Sequence, residues 1–263
     1  MVRDVGKKSL KFYFFLFTAV TYLPLILLIA FSFNDSFIVT AFPFRGFTLE
    51  WWSEFFHDPI AIRAVTNSLM LAASSSLIAT GLGLLIAYPI VRHFKFRGMN
   101  FLTYSALLPL VIPPITVGIS LLLLFSRIFD LSLSLFTVLV GHILLGLPFT
   151  TLVLMARLIG FDISLEEAAQ DLGASEITTF RKITVPLIMP GIFVAVFLSF
   201  SMSMMDVDIA FFLSGAQSTV PMFVYGKLRR WEGLPTVMAL SGLMVVISLA
   251  IAIVYMFIMR RRS

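Results

Sequence analysis

Two aspartates that lie two positions apart in an apolar stretch are the residues most able to interact with a charged solute. Asp206 and Asp208 follow Met205 in the apolar run 187–215. A carboxylate inside a membrane is costly and usually faces a pathway or a partner, so an anion here suits a cationic solute. Positions two apart on an ideal helix differ by about 200°, so both aspartates face one cavity only if the helix is locally unwound. We expect Asp206 to line a solute pathway, with Met205 and Asp208 beside it.

A structural role for the two aspartates is the alternative. If they lie near the outer end of their span, they pair with Lys227, Arg229 or Arg230. The boundary of the run leaves both roles open, because helix ends read from sequence err by a few residues.

His142 is the titratable side chain of a different apolar run. Such an imidazole either relays protons or, as we expect, is hydrogen-bonded within the helix bundle. An intramembrane protease would have to use Ser120 with His142, but the further glycine of a serine site is missing, and so is the metalloprotease motif H-E-x-x-H. A proton-coupled transporter using Asp206, Asp208 and His142 would show an internal repeat, and we find none. We expect no catalytic residue and no metal site, and the lack of cysteine excludes thiol chemistry.

The elements that carry these residues must be membrane-spanning helices. The chain is 59% hydrophobic and only 13% charged, with a mean hydropathy of +1.02, whereas soluble domains carry about 25% charged residues. Its apolar runs reach the roughly 20 residues that a helix needs to cross a bilayer. We predict an all-α membrane protein of six transmembrane helices, over the runs 12–33, 64–91, 98–126, 131–156, 187–215 and 233–259.

Prolines and glycines give two of these helices special features. Pro109, Pro113 and Pro114 should kink or break the third helix, because each lacks a backbone donor. Gly81 and Gly83 allow another helix to approach the second one closely.

The distribution of positive charge predicts the orientation. With six spans, both termini share a side with the basic loop that holds Arg92, Lys95 and Arg97, and with the polar segment 160–186. Thirteen of the nineteen lysines and arginines then lie on that side. Because cytoplasmic loops carry the excess of Lys and Arg, we expect both termini and segment 160–186 in the cytoplasm. No separate soluble domain is evident, so we expect residues 1–263 to form one transmembrane domain that contains segment 160–186 as a loop.

The polar segment between the fourth and fifth runs has the pattern of a helical hairpin. Ser164 and Glu167 have the spacing of a capping box, in which each side chain bonds a free amide at a helix start. Gly173 stands where a left-handed cap would end this helix. Ser175 can cap a second helix, which we expect Pro186 to interrupt.

The spacing in this hairpin closely resembles the EAA loop of ABC-importer permeases. The family usually has Leu before the final Pro, where this chain has Val185, a residue of similar apolar character. By this resemblance the hairpin sits in a groove of an ATPase subunit and couples the permease to it. The residues that match the motif are Glu167, Ala168, Ala169, Gly173, Ile183 and Pro186.

The resemblance covers nearly the whole chain and is closest to the spermidine/putrescine branch of these permeases. It rests on the spacing of the spans, on the phrase Asp-Leu-Gly-Ala-Ser at 171–175, and on Leu-Ser-Phe at 198–200 leading to Asp206. That branch has two adjacent acids here, whereas Met205 replaces the first and Asp208 is extra. The resemblance implies a pathway for a small cationic solute such as spermidine or putrescine, with another small solute as the alternative.

The partners also follow from the resemblance. The resemblance implies a transport subunit rather than an enzyme. Since the chain has no G-x-x-x-x-G-K-[ST] loop to hold nucleotide phosphates, we expect a partner to supply the energy. The resemblance implies two ATPase subunits that bind ATP and Mg, with no cofactor on this chain. It also implies a second, different permease subunit, an extracytoplasmic solute-binding protein and a place in the bacterial inner membrane. The net charge of +5 reflects orientation in the membrane rather than a nucleic-acid partner.

Overall fold

The computed structural model describes residues 2–36, 44–92, 97–230 and 233–260. These residues are mostly helical, and the β-structure among them is one isolated antiparallel bridge between Asn34 and Phe47. Lys95 of the expected basic loop lies outside the described residues. The helices are α1 (Val2–Phe31), α2 (Glu50–His57), α3 (Pro59–Val91), α4 (Met99–Leu107), α5 (Pro114–Leu123), α6 (Leu135–Ile159), α7 (Ser164–Asp171), α8 (Glu176–Thr179), α9 (Val185–Met205), α10 (Asp208–Leu213), α11 (Val220–Arg230) and α12 (Leu234–Arg260).

Several of these helices are long and apolar enough to cross a membrane. Within the described residues four helices qualify by length and composition, or five if one bent pair counts as a single span. The helical class is therefore confirmed. The sixth predicted run corresponds to α12. Its apolar stretch, within the residues that could be searched for spans, is Leu234–Ala250. The four single spans are Leu10–Phe31, Pro59–Val91, Leu135–Ile159 and Glu176–Met205.

The third apolar run is broken, as its prolines predict. After α4 the chain makes a tight turn at Leu108–Leu110, and α5 begins at Pro114. Pro113 is extended, with φ −55° and ψ 135°, because the ring of a following proline disfavours helical backbone in the residue before it. The two halves of the run are bent by 111°.

The fifth apolar run differs from the prediction at both ends. The helix that starts at Glu176 continues through a wider π-helical segment, Phe180–Thr184, into α9, so the expected interruption at Pro186 is wrong. A π-helical turn shifts the pairing of amides with carbonyls, and this accommodates a proline that has no amide hydrogen. At its other end α9 stops at Met205 rather than at the end of the run, because Asp206 is extended.

One compact unit comprises Met1–Ile62 and Val224–Ser263. In its described part α12 packs against α1 and α2. Trp51 of α2 is buried, and its indole Nε1 donates a hydrogen bond to the Asn34 carbonyl over 2.9 Å. Trp52 stacks on Phe33 with 5.5 Å between ring centroids. These two aromatic contacts hold α2 against the chain that follows α1.

The other compact unit, Arg63–Phe223, contains the predicted functional residues. Helices α6 and α9 pack along each other through small residues. A Cβ added at Gly191 would lie 2.7 Å from Cγ of Arg157, and one added at Gly146 would overlap the Ser199 hydroxyl. Lipid tails are as apolar as the helices they surround, so close backbone approach of this kind supplies the packing contacts.

Helix α3 joins this pair through one of its two glycines. A Cβ added at Gly83 would lie 2.5 Å from Thr150 Oγ1 and 3.0 Å from the Thr151 backbone nitrogen, both on α6. A Cβ at Gly81 would meet nothing within 4 Å. Close contact is thus confirmed at Gly83 and absent at Gly81 among the described residues.

Helix α10 folds back into the bundle after the break at the end of α9. It packs against α5 and α6, and its Ile209, Ala210 and Leu213 are buried. A Cβ added at Gly141 of α6 would lie 2.5 Å from Cγ2 of Ile209. This packing fixes the direction in which the chain leaves α9.

Candidate functional site

The hairpin, residues 164–184, begins with a cap that differs from the predicted one. Helix α7 starts at Ser164 as expected. The Ser164–Glu167 capping box is wrong, because Ser164 lies inside the first turn and Asp162 takes the capping role. Asp162 Oδ1 accepts a hydrogen bond from the Ser164 amide over 3.0 Å. Because the hydrogen bonds from Ser164 favour the ionised carboxylate, they lower the pKa of Asp162.

The turn of the hairpin has the geometry expected from Gly173. Its φ is +87°, a conformation that residues with a Cβ rarely adopt. The Gly173 amide donates to the Gln170 carbonyl over 2.8 Å, and the Ala174 amide donates to the Ala169 carbonyl over 3.0 Å. This pair of bonds is the Schellman motif that ends many helices. Just beyond it, Ser175 Oγ accepts from the Thr178 amide over 3.3 Å, which confirms the predicted cap of the second arm.

The predicted coupling residues are distributed over both arms of the hairpin. Those on α7 and its terminal turn are adjacent, whereas the last two belong to the second arm and the start of α9. Their exposure differs: Glu167, Ala168, Gly173 and Pro186 are exposed, and Ala169 and Ile183 are half-buried.

Large apolar side chains of the hairpin also face outward. Leu172, next to the turn, is 90% exposed, and Leu165 and Ile177 are exposed as well. The hairpin therefore presents an apolar surface around its turn.

Glu166, which the sequence reasoning passed over in favour of Glu167, is the buried residue of α7. Only 4% of it is exposed. Its Oε2 lies 2.7 Å from Nε of Arg92, at the end of α3, and its Oε1 accepts from Arg92 Nη2 over 3.1 Å. The Thr184 hydroxyl donates to the same Oε1 over 2.5 Å. This network ties the hairpin to α3 and to the start of α9.

A polar cavity of about 220 Å³ lies beside this ion pair. Carboxylates line much of it, so a net negative charge surrounds the Arg92 guanidinium. Its walls are formed by Tyr88, Arg92, Ile163, Glu166, Glu167, Gln170 and Glu176.

The α9–α10 junction, residues 205–208, holds the two predicted aspartates. Asp206 is only 9% exposed. Its Oδ2 accepts from the Ala210 amide over 3.0 Å and its Oδ1 accepts from the Ile209 amide over 3.4 Å. The carboxylate thus caps the first turn of α10. The same Oδ2 lies 3.1 Å from Nε2 of His142, within hydrogen-bonding distance.

His142 is hydrogen-bonded within the bundle, as expected. Its Nδ1 lies 2.6 Å from the Ser203 hydroxyl on α9. A neutral imidazole donates from Nε2 to Asp206 and accepts from Ser203 at Nδ1. The order of groups is that of a Ser-His-Asp triad. However, Ser203 is buried, and the Asp206 carboxylate accepts hydrogen bonds from amides of α10. The three side chains therefore form a structural network between helices. Ser120, the expected partner in a protease, donates instead to the Thr116 carbonyl over 2.8 Å.

The other two residues of the junction face outward. Met205 is 78% exposed, and Asp208 is exposed at the first position of α10. The local unwinding at the end of α9 is the condition under which both aspartates can approach one cavity. The structure gives them different environments, because Asp206 turns inward to His142 and Asp208 turns outward.

These features together define a membrane permease domain. Its apolar spans pack through small residues, and a capped hairpin with exposed side chains lies between two of them. The chain belongs to the family of binding-protein-dependent transport system inner membrane components, whose model matches residues 79–263. This membership confirms the resemblance to ABC-importer permeases and the inner-membrane location.

Two permease proteins of known transport systems are similar in sequence to most of this chain. The chain is 36% identical over 246 residues to the spermidine/putrescine transport system permease protein PotC of Escherichia coli K12, covering 93% of this chain and 91% of that protein. It is also 36% identical over 214 residues to the putrescine transport system permease protein PotI of the same strain, covering 79% of this chain and 75% of that protein.

Solved structures share the fold at lower identity. A chain of a bacterial ABC transporter involved in the import of the acidic polysaccharide alginate matches with a TM-score of 0.71 and 20% identity, covering 98% of both chains. A chain of the MetNI methionine ABC transporter matches with a TM-score of 0.65 and 16% identity, covering 78% of this chain and 96% of that one. At these identities the matches show the fold alone.

Proposed function

We propose that this chain is the permease subunit of an ATP-binding cassette importer and forms the pathway for a small cationic solute such as spermidine or putrescine. The observation that carries the proposal is the 36% identity, over 93% of the chain, to a permease named for these two solutes. The family membership supports the importer class independently of the solute.

The complete importer contains further subunits. Two ATPase subunits bind ATP and Mg, a second and different permease completes the pathway, and an extracytoplasmic binding protein delivers the solute. The family description, which specifies dependence on a binding protein, supports the last of these partners. The permease has six spans, with both termini and the hairpin on the cytoplasmic side, where the excess of Lys and Arg supports their placement.

The hairpin is the part of the chain that receives the ATPase. Glu167 and Ala168 are exposed on its first arm, and Leu172 adds an apolar side chain that binding in a groove would bury. Both arms end in hydrogen-bonded caps, at Gly173 and Ser175. Because the Thr184 hydroxyl on the second arm donates to Glu166 on the first, the hairpin moves as one body when the ATPases close.

The α9–α10 junction supplies the charge that recognises the solute. Asp206 holds the break in the helix by capping α10 and bonding His142. Asp208 presents an exposed carboxylate to the ammonium groups of a polyamine. Met205, which is exposed next to it, provides a flexible apolar side chain for the methylene segments between those groups.

Binding-protein-dependent uptake tests this function. The permease and its partner subunits are expressed in cells that lack polyamine uptake, and accumulation of labelled spermidine, putrescine and a neutral sugar is measured. We expect ATP-dependent accumulation of a polyamine and not of the sugar. Loss of uptake in Glu167→Ala, with normal membrane insertion, would support the hairpin's role. Uptake of a different small solute would keep the importer and reject the polyamine.

Replacement of the exposed carboxylate tests the pathway. Asp208→Asn removes charge without changing shape, so the polyamine concentration for half-maximal uptake should rise about tenfold. An unchanged concentration for half-maximal polyamine uptake in Asp208→Asn, in a variant that inserts normally, would place Asp208 outside the pathway.

A further inference from the structure

We propose that Arg92, Glu166 and Thr184 form the positioning network through which movement of the hairpin is transmitted to the spans. We call these three residues the hairpin clamp. The inference rests on the proposed function, in which ATPases move the hairpin. It assigns the transmission to residues that lie behind the ATPase-facing surface rather than on it.

The clamp joins four separate segments of the chain. Glu166 lies on α7, Arg92 directly follows α3, and Thr184 directly precedes α9. Arg92 Nη1 also donates to the carbonyl of Leu158, near the end of α6, over 3.4 Å. A displacement of α7 therefore acts on the ends of three long helices at once.

The chemistry of the clamp makes it stiff. Both carboxylate oxygens of Glu166 are used, since Oε2 pairs with Arg92 Nε at 2.7 Å and Oε1 accepts from Arg92 Nη2 at 3.1 Å. The side chains of Arg92 and Glu166 are 8% and 6% exposed. The hydrogen bond from Arg92 Nη2 and the close charge contact at Nε act on different oxygens of the carboxylate, so together they restrict its orientation as well as its distance. Because water is largely excluded, separating the two charges is strongly unfavourable, so the segments move together.

No other side chain of α7 offers such a connection. Glu166 is the only buried residue of this helix, all of which the structure describes. Neighbouring acids such as Glu167 and Asp171 are exposed. A hairpin without Glu166 would keep its caps and its ATPase-facing surface and would lose its charged attachment to the spans.

The number of ATP molecules hydrolysed per solute imported by the complete transporter tests the clamp. The full complex is reconstituted in vesicles, and both ATP hydrolysis and polyamine uptake are measured for the wild type, Glu166→Gln and Asp171→Asn. Asp171→Asn is the matched control, because it removes a charge from an exposed position of the same helix. We expect Glu166→Gln to retain ATP hydrolysis within about twofold while uptake falls about tenfold, because one member of a buried charge pair is removed. Asp171→Asn should match the wild type.

Two further variants keep the test decisive if Glu166→Gln fails to fold. Thr184→Val keeps shape and leaves the ion pair intact, and we expect it to raise the ATP hydrolysed per solute about threefold through loss of one hydrogen bond to a charged group. Arg92→Lys keeps the charge, but an ammonium group cannot contact Glu166 and the Leu158 carbonyl with separate nitrogens as the guanidinium does. Its ratio of ATP hydrolysed to solute imported should therefore lie between those of the wild type and Glu166→Gln.

The possible results separate the clamp from the proposed function. A wild type without ATP-driven polyamine uptake would reject the proposed function. An active wild type whose ATP-to-solute ratio stays unchanged in Glu166→Gln and Thr184→Val would overturn the clamp. If Glu166→Gln fails to assemble, the ratio measured for Thr184→Val decides alone.

Discussion

The hairpin clamp and the α9–α10 junction each contain a buried carboxylate, but the basic side chain beside it differs. Each holds a buried carboxylate against a basic side chain, Glu166 against Arg92 at 2.7 Å and Asp206 against His142 at 3.1 Å. Arginine keeps its charge at every physiological pH, whereas histidine is charged only when protonated. The clamp is therefore an ion pair, and the junction is a hydrogen-bonded network built around an imidazole.

The two carboxylates also differ in what they hold. Glu166 connects segments that are distant in sequence, because Arg92 and Thr184 come from different helices. Asp206 mainly shapes local backbone, since it accepts amides from Ile209 and Ala210. Helix α9 lies between them, and its 21 residues span about 31 Å. We infer that the start of α9, at the clamp, receives movement from the hairpin, and that its end, at the junction, holds the shape of the proposed pathway.

The largest effect is expected from breaking the junction. Asp206→Ala removes the α10 cap and leaves the buried His142 Nε2 without its partner, so the free energy of unfolding should fall by about 2–4 kcal/mol. Asp206→Asn retains a capping side chain and should lose less. Thermal unfolding in detergent micelles measures both variants. If Asp206→Ala unfolds at the wild-type temperature, the junction is not the structural counterpart of the clamp.

A smaller effect is expected where α3 meets α6, the contact that connects Arg92 to the rest of the bundle. The methyl group of Gly83→Ala would lie 2.5 Å from Thr150 Oγ1, and overpacking of this kind costs about 1–3 kcal/mol. Gly81→Ala is the matched control, because a Cβ there meets nothing within 4 Å. Chemical denaturation should separate the two variants, and equal stability would contradict the packing of α3 on α6.

The turn of the hairpin should respond more weakly. Gly173→Val places a β-branched residue at φ +87°, and left-handed backbone costs about 1–2 kcal/mol for a residue with a Cβ. Gly173→Asn should be tolerated better, because asparagine adopts this conformation more readily. Amide hydrogen exchange at Ala174 measures the opening of the turn. Exchange that is the same in both variants and the wild type would show that the turn is not under this constraint.

The smallest effect concerns the Asp162 cap and depends on pH. Hydrogen bonds from Ser164 lower the pKa of Asp162 from its usual 3.8. A carboxyl group whose pKa is lowered on folding stabilises the protein above its unfolded pKa and loses that contribution as pH falls through the folded value. Protection of the Ser164 amide, corrected for intrinsic exchange, should therefore decrease below about pH 4. Asp162→Asn should remove this pH dependence, and a persistent pH dependence in that variant would contradict the cap.

Features governed by neighbouring residues could be predicted from the sequence. Gly173 ends α7 because few other residues accept its backbone conformation, and Ser175 caps the next helix because its hydroxyl is two or three residues from free amides. The bend at Pro113 and Pro114 has a similarly local cause. The solute pathway and the ATPase-facing surface remain predictions that rest on exposure and on the relatives.

Features governed by distant residues could not be predicted in the same way. Glu166 and Glu167 are adjacent acids, and the one that is buried is decided by the position of Arg92, 74 residues earlier. The continuous helix through Pro186 depends on a π-helical segment that no residue pattern announces. The partner of Asp206 is His142, 64 residues away, because the packing of α6 against α9 brings the two together.

Solute-stimulated ATP hydrolysis tests the central claim most directly. The complete complex is reconstituted with its binding protein, and hydrolysis is compared in the presence of spermidine, putrescine, a neutral sugar and no solute. We expect a polyamine together with the binding protein to raise the rate of hydrolysis, and the sugar to leave it unchanged. Hydrolysis that is independent of every solute, in a complex that contains all its subunits, would contradict the proposed importer function.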